Sequence, residues 1–188
     1  MYYRLSSDRQ AVNVFMKALN NIDVDLISGE LLDPEYDPEE VPFKFEMDVA
    51  QNVESGAYYE PTMNHYFSGA RLMHKTLVQT IQAAGVDNIE IFPAVVTWSE
   101  KNWVIEDYVV VNIIGLVSCA VKDQSETSPI ADSHYFHNIT IDSTRTNNML
   151  MFRLAESEIE VLVHEQVADA IKASNFDGVI LEPVAEVA

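Results

Sequence analysis

The sequence predicts an α+β fold: a single domain over residues 1–188, mainly antiparallel sheet with a long hairpin and a C-terminal meander, packed against two or three helices. Three observations carry this. Two stretches place apolar residues at helical spacing, and each meets a Gly or Asn and then a β-branched run. The other apolar segments are short and separated by turn residues. Finally, 188 residues, 48% of them apolar, suit one sizeable core and would be cramped as two.

Taken in order, "YYRLS" reads as a first strand, and Ala11, Phe15 and Leu19, with Val12 and Met16 beside them, recur at helical spacing. From Asp23 to Pro61 periodicity fades. Pro34, Pro38 and Pro42 each fix φ at about −65° and remove a donor, so 23–61 reads as an extended acidic loop region. A helix is expected from Ser68 to Ala84, with Met73, Leu77, Ile81 and Ala84 on one face and Arg71, Lys75, Gln79 and Gln82 opposite. Gly85 follows as a cap tolerant of positive φ, with Val86 folding back on the last turn, and "IEIFPAVVTW" is the next strand. Ser99 to Asn102 form its turn, and Trp103 to Ala120 return antiparallel with a bulge near Gly115. Leu77, Ile81, Ile91, Val95, Val110 and Ile114 are expected to share one core.

Beyond a polar loop, "YFHNITI", "MLMFRLA" and "IEVLVH" read as a meander. Val163, Val167, Ala170 and Ile171 then mark a second helix, capped by Asn175 and followed by "GVILEPV". "HKTLVQTIQAAGVDNIEIFP" and "HEQVADAIKASNFDGVILEP" align without a gap, sharing His, Ile, Ala, Asp and Pro, with Gly85 facing Asn175. Two joints using the same capping chemistry, or a duplication, would each produce this echo.

The net charge is −19, and residues 23–60 hold twelve Asp or Glu against one base, Lys44. Carboxylates at such density repel one another, so they are either solvated or offered to a partner. A pI near 4.3 disfavours nucleic acid, whose binding is driven by Lys and Arg displacing counterions. The longest apolar run, "YVVVNIIGLVSCAV", is too short and too β-branched to span a membrane. One cysteine, Cys119, excludes an intramolecular disulfide, and "MYYRLSSDRQ" does not read as a signal peptide, so a cytoplasmic location is expected.

Most catalytic signatures can be ruled out from the sequence, so an enzyme here would have to be unmarked. All six glycines are isolated, so no Gly-rich phosphate loop exists; "HEQVA" lacks the second histidine of a zinc protease helix. The strongest cluster is His134 and His137 near Asp132 and Asp142, the basis for an unmarked enzyme or a metal site. A strand would send those histidines to different faces or elements, and structural zinc wants four ligands, so no metal and no cofactor are expected. Cys119, at the end of an apolar run, reads as a small buried hydrophobe and not a nucleophile. The EF-hand order is absent around Asp23 and Asp25, which argues against calcium.

Several fragments together resemble the bacterial immunity proteins of polymorphic toxin systems, in the group labelled immunity protein eleven and formerly a domain of unknown function. The carrying residues are "SGARL", "IEIFPAVV" with Pro93, "YVVVNIIGLVSCAVKDQSE" with Tyr108, Asn112, Asp123 and Ser125, then "MFRLAES" and "IKASNFDGVILEPV". They cover about residues 68 to 183, the family-like core. The resemblance implies a small cytoplasmic protein, not an enzyme, that binds and neutralises a toxin. It supplies no contact residues. From charge and proline spacing alone, the toxin-binding segment is placed at Asp33, Glu35, Tyr36, Asp37, Glu39 and Glu40, facing a basic toxin surface. The remaining alternative is a regulatory module with another basic partner.

Overall fold

Two strand–helix–strand units, each with a histidine at the start of its helix, organise the chain. The protein is described by a computed structural model over residues 1–8, 13–19, 26, 28–32, 42–130 and 133–188. Its first strands are β1 (Tyr2–Ser7), β2 (Val14–Ala18), β3 (Phe43–Val49), β4 (Tyr66–Phe67) and β5 (Leu72–His74). Helix α1 (Lys75–Ala83) leads to β6 (Ile89–Trp98), β7 (Trp103–Ile105), β8 (Tyr108–Ile113) and β9 (Leu116–Val117). Next come β10 (Glu126–Ile130), β11 (Ser133–Asn138), β12 (Thr140–Asp142), β13 (Met151–Leu154) and β14 (Ser157–His164). Helix α2 (Glu165–Ser174), β15 (Val179–Pro183) and β16 (Ala185–Val187) close the described fold. Strands and two α-helices around sheet-built cores make it α+β, as the sequence predicts.

One sheet has the order β2-β3-β6-β8-β5-β4, with β7 also pairing β6, and the other the order β15-β1-β14-β13-β9. Within them the two units repeat one plan. Strand β8 lies between β5 and β6, and β1 between β14 and β15, antiparallel to both neighbours in each case. His74 faces Tyr108 as His164 faces Tyr2, and Pro93 faces Val109 as Pro183 faces Tyr3. Tyr66 faces Met73 as Met151 faces Val163. Backbone bonds repeat as well. Lys75 N–H donates to Asp107 O at 2.8 Å and Glu165 N–H to Met1 O at 2.7 Å; Ile114 N–H donates to Asn88 O at 2.8 Å and Asp8 N–H to Gly178 O at 3.1 Å. Shared capping chemistry would not set strand register outside the joints, so the echo belongs to a repeated unit. In the second copy the strand equivalent to β8 comes from the start of the chain.

The units meet through their helices. Leu77, Val78 and Ile81 of α1 join Val167, Ala168 and Ile171 of α2 in one buried cluster with the facing sheet residues. A second cluster, with Phe43, Phe45, Met47, Phe92 and Trp98, covers the other face of the first sheet; a third, with Phe136, Ile141, Phe152 and Leu162, covers that of the second.

Several expected elements differ. The stretch around Phe15 is strand, not helix: β2 pairs β3 from Val14–Val49 to Ala18–Phe45, burying Val14 and leaving Phe15 63% exposed. Alternation against an available ladder overrides four-residue spacing. The expected Ser68–Ala84 helix is split into a 3-10 turn (Ser68–Ala70), Arg71 at φ 54°, strand β5 and then α1. The return from Trp103 to Ala120 is likewise broken: β8 ends at Ile113, Gly115 has φ +118°, and β9 pairs β13 of the other sheet. The last three strands do not form one meander. Strand β12 pairs β16 in parallel while β13 pairs β14, and Asn147 and Asn148, at φ 53° and 56°, turn the chain between them.

Candidate functional site

The residues chosen from sequence for toxin contact, Asp33, Glu35, Tyr36, Asp37, Glu39 and Glu40, lie outside the described residues. The flanks of that segment are described, and both meet β6. On the N-terminal side, Leu32 N–H donates to Glu90 Oε2 at 3.1 Å. Asn112 Nδ2 donates to the same carboxylate oxygen at 2.9 Å and to Glu30 O at 2.8 Å. Gly29 O accepts from Gly115 N–H at 2.9 Å. Gly29 has φ +73°, and a Cβ there would lie 3.1 Å from the backbone of Gly115 and Leu116, so a glycine is needed for this approach. On the C-terminal side, β3 starts at Phe43, opposite Ala94. The two anchors are thus four residues apart on one strand, or about 13 Å at strand rise. Leu32 and Phe43 belong with the cluster on the outer face of the first sheet.

Beyond the segment, Glu46 on β3 is fully engaged in structure. Its carboxylate accepts from Ser99 N–H at 2.8 Å, Thr97 Oγ1 at 2.7 Å and Ser99 Oγ at 3.0 Å. The Ser99 N–H bond, ahead of the two hydroxyls, lowers its pKa.

The histidine and aspartate set is divided. Asp132 lies outside the described residues, and of His134 only the backbone is described, opposite Pro129 on β11. His137 Nε2 is 2.8 Å from Ser128 Oγ across the β10–β11 hairpin. Asp142 caps a 3-10 turn, its Oδ1 accepting from Thr144 N–H at 3.0 Å and Thr144 Oγ1 at 2.6 Å. Among the described residues no group of three or more His, Cys, Asp or Glu is placed to hold a metal. Cys119 is 0% exposed, and burial, reinforced by Glu156, pushes its thiol up to about 12. No described helix is long and apolar enough to cross a membrane.

A feature that no local motif announces is a cleft of about 900 Å³ where the two units face each other. It opens where a sheet forks. The β1–β14 register runs from Tyr2–His164 to Leu5–Val161, while β1 stays on β15 as far as Ser7–Val179. Arg4, Arg71 and Arg153, three of the chain's five arginines, line it with Tyr66 and Glu160. Arg4 Nη2 donates to Glu160 Oε1 at 2.6 Å, and Arg153 Nη1 donates to Glu158 O at 3.0 Å. Burial raises the pKa of the Tyr66 hydroxyl, opposed in part by Arg153 and Arg71. The arginines lie 67 and 82 positions apart along the chain, so only the fold unites them.

No family model and no curated protein matches the chain.

Proposed function

We propose that this protein is an immunity protein, which binds and neutralises a cognate bacterial toxin by presenting an acidic surface to a basic toxin face. The observation that carries the reading is the concentration of five carboxylates and no base in residues 33–41, between the described flanks Leu32 and Phe43 that are both fastened to β6, within a stretch, 23–60, that holds twelve carboxylates against one base. Two fixed ends limit the freedom such a segment loses on binding. Opposite charges steer encounter and can bring association to about 10⁸ M⁻¹s⁻¹ or more, which suits a protector that must reach its toxin first. The resemblance of residues 68 to 183 to immunity proteins points the same way. The protein acts in the cytoplasm of the producing cell, where a toxin entering from a sibling would be met.

The test is co-purification with the product of the neighbouring gene. A stoichiometric complex, together with survival of cells expressing both proteins, is the expected result. No complex with that product, and no protection against it, would remove the reading.

A further inference from the structure

Strand β7 is a sheet edge without the usual protections. Val96 of β6 pairs Phe45 of β3 on one side and Ile105 of β7 on the other, and among the described residues no strand pairs the far side of β7. An open edge presents unpaired backbone donors and acceptors, which proteins blunt with charged side chains, proline or strands of minimal length. The other edges of the two large sheets follow that rule. Strand β2 carries Lys17, β15 carries Glu182 and Pro183, and β4 and β9 have two residues each. Strand β7 instead reads Trp-Val-Ile, with Trp103 48% and Val104 62% exposed.

The edge has a firm support. Trp103 faces Trp98 across the β6–β7 pair, edge to face with ring centroids 5.1 Å apart, and Tyr58 meets the buried Trp98 in the same way at 5.6 Å. The repeated plan does not demand this arrangement. The second unit pairs β16 with β12 in parallel as the first pairs β6 with β3, yet among the described residues it has no strand in the place of β7. A half-exposed aromatic ring beside an open edge suits strand addition, in which backbone bonds give affinity and side-chain contacts give selectivity.

Charge sets the kind of strand that fits. Residues 99–107 hold Glu100, Glu106 and Asp107 against one base, Lys101, and all four are exposed. Glu100 stands before β7 and the other two carboxylates follow it, so both ends of the edge are acidic. Among the described residues none of the three is in an ion pair, and Lys101 Nζ lies 5.8 Å from the centroid of the Trp98 ring.

We propose that β7 adds an extended basic peptide segment of a protein partner as a further strand, with Trp103 and Val104 holding its apolar side chains and Glu100, Glu106 and Asp107 holding its Lys or Arg. The edge does not use the acidic segment, and the proposal stands or falls separately from the toxin reading.

The probe is a blocked heptapeptide of alternating Lys and Val, titrated into the full chain and followed by calorimetry and by tryptophan fluorescence, which reports on Trp98 and Trp103 alone. Saturable one-to-one binding that alters the fluorescence is expected. The same peptide with a central Pro, which lacks a backbone donor, and one with Glu in place of Lys should each bind about tenfold more weakly or worse. By calorimetry, a loss of about the same size should follow from Trp103→Ala and from Glu100→Gln, Glu106→Gln and Asp107→Asn made together. Changing Asp33, Glu35, Asp37, Glu39 and Glu40 to their amides should alter binding by no more than about twofold at physiological salt. The three exposed carboxylates lie outside the core, so their variant keeps the test valid if Trp103→Ala fails to fold. No saturation, unchanged fluorescence, equal binding of the Pro or Glu peptide, binding unchanged in the three-carboxylate variant, or a loss caused by the acidic-segment variant would overturn the proposal.

Discussion

His74 meets Tyr108 edge to face, with ring centroids 5.4 Å apart, and its Nδ1 accepts from Thr76 N–H at 3.3 Å to cap α1. His164 meets Tyr2 in the same way at 5.2 Å and caps α2 through Gln166 N–H at 3.4 Å. Each histidine thus closes a strand, starts a helix and packs on the strand that runs back between its neighbours. An acceptor Nδ1 requires the neutral imidazole, and burial, with His65 adding to it, lowers the pKa of His74. The unfolded chain then takes up a proton at about pH 6.5, before the folded one does. Stability from this group is therefore complete above about pH 6.5 and is lost as pH falls toward the depressed folded value. His74→Asn keeps an acceptor at the cap and should flatten the change of denaturant midpoint between about pH 7 and about pH 5. An unchanged slope would show that His74 does not contribute.

Cys119 is expected to be inert in the folded protein. With its thiol pushed up to about 12 and 0% exposure, it lacks both the thiolate and the access that alkylation needs. Iodoacetamide at about pH 8 should label it only after denaturant is added. Rapid labelling of the native protein would return it to consideration as a nucleophile.

The helix faces and the strand faces should behave differently under truncation. Ile81 is 1% exposed between the two helices, and Ile81→Ala should cost about 2 to 5 kcal/mol. Ile91, expected from sequence to share its core, is 38% exposed, and Ile91→Ala should change stability by no more than about 0.5 kcal/mol. Denaturant midpoints of the two variants check both.

That contrast shows what could be read in advance. Leu77 and Ile81 were legible because polar residues fill the other side of α1, so only one helical face can be buried. In "IEIFPAVVTW" both alternating sets are apolar, and a strand that slips by one residue exchanges them. Phe92, Ala94, Val96 and Trp98 are buried, leaving Ile91 exposed and Val95 half-buried. Val110 is buried on the other side of its sheet from Leu77, and Ile114 is only partly buried. Gly85 and Asn175 were legible as caps because few residues tolerate their φ of 101° and 49°. The arginine cleft was not legible, since its members come from β1, β13 and the turn before β5, which local periodicity does not relate.

Gly178 and Gly56 share φ +67° but differ in surroundings. A Cβ at Gly178 would overlap the side chain of Asn64, whose Nδ2 donates to Asp8 O at 3.3 Å; at Gly56 nothing lies within 4 Å. Gly178→Ala should therefore lower stability by more than Gly56→Ala, which carries only the backbone strain of about 1 kcal/mol or more. Equal losses by thermal or denaturant unfolding would mean that Asn64 gives way freely.

The acidic segment carries the functional reading, and its charge can be removed without touching the described core. Changing Asp33, Glu35, Asp37, Glu39 and Glu40 together to Asn and Gln deletes five negative charges from a segment that holds one base among residues 23–60. Repulsion falls, so folding stability should be unchanged or slightly higher. If these carboxylates steer the chain to a basic toxin face, association should slow while dissociation changes less, and protection of cells should drop. Exposed charges are screened over about 8 Å at physiological ionic strength, so added salt should slow wild-type association toward that of the variant. Tyr36 provides the complementary test. An aromatic anchor acts through residence time, so Tyr36→Ala should speed dissociation and leave the salt dependence of association intact. Wild-type association and full protection by the five-fold variant would move the toxin contact from this segment to the face built by residues 68 to 183.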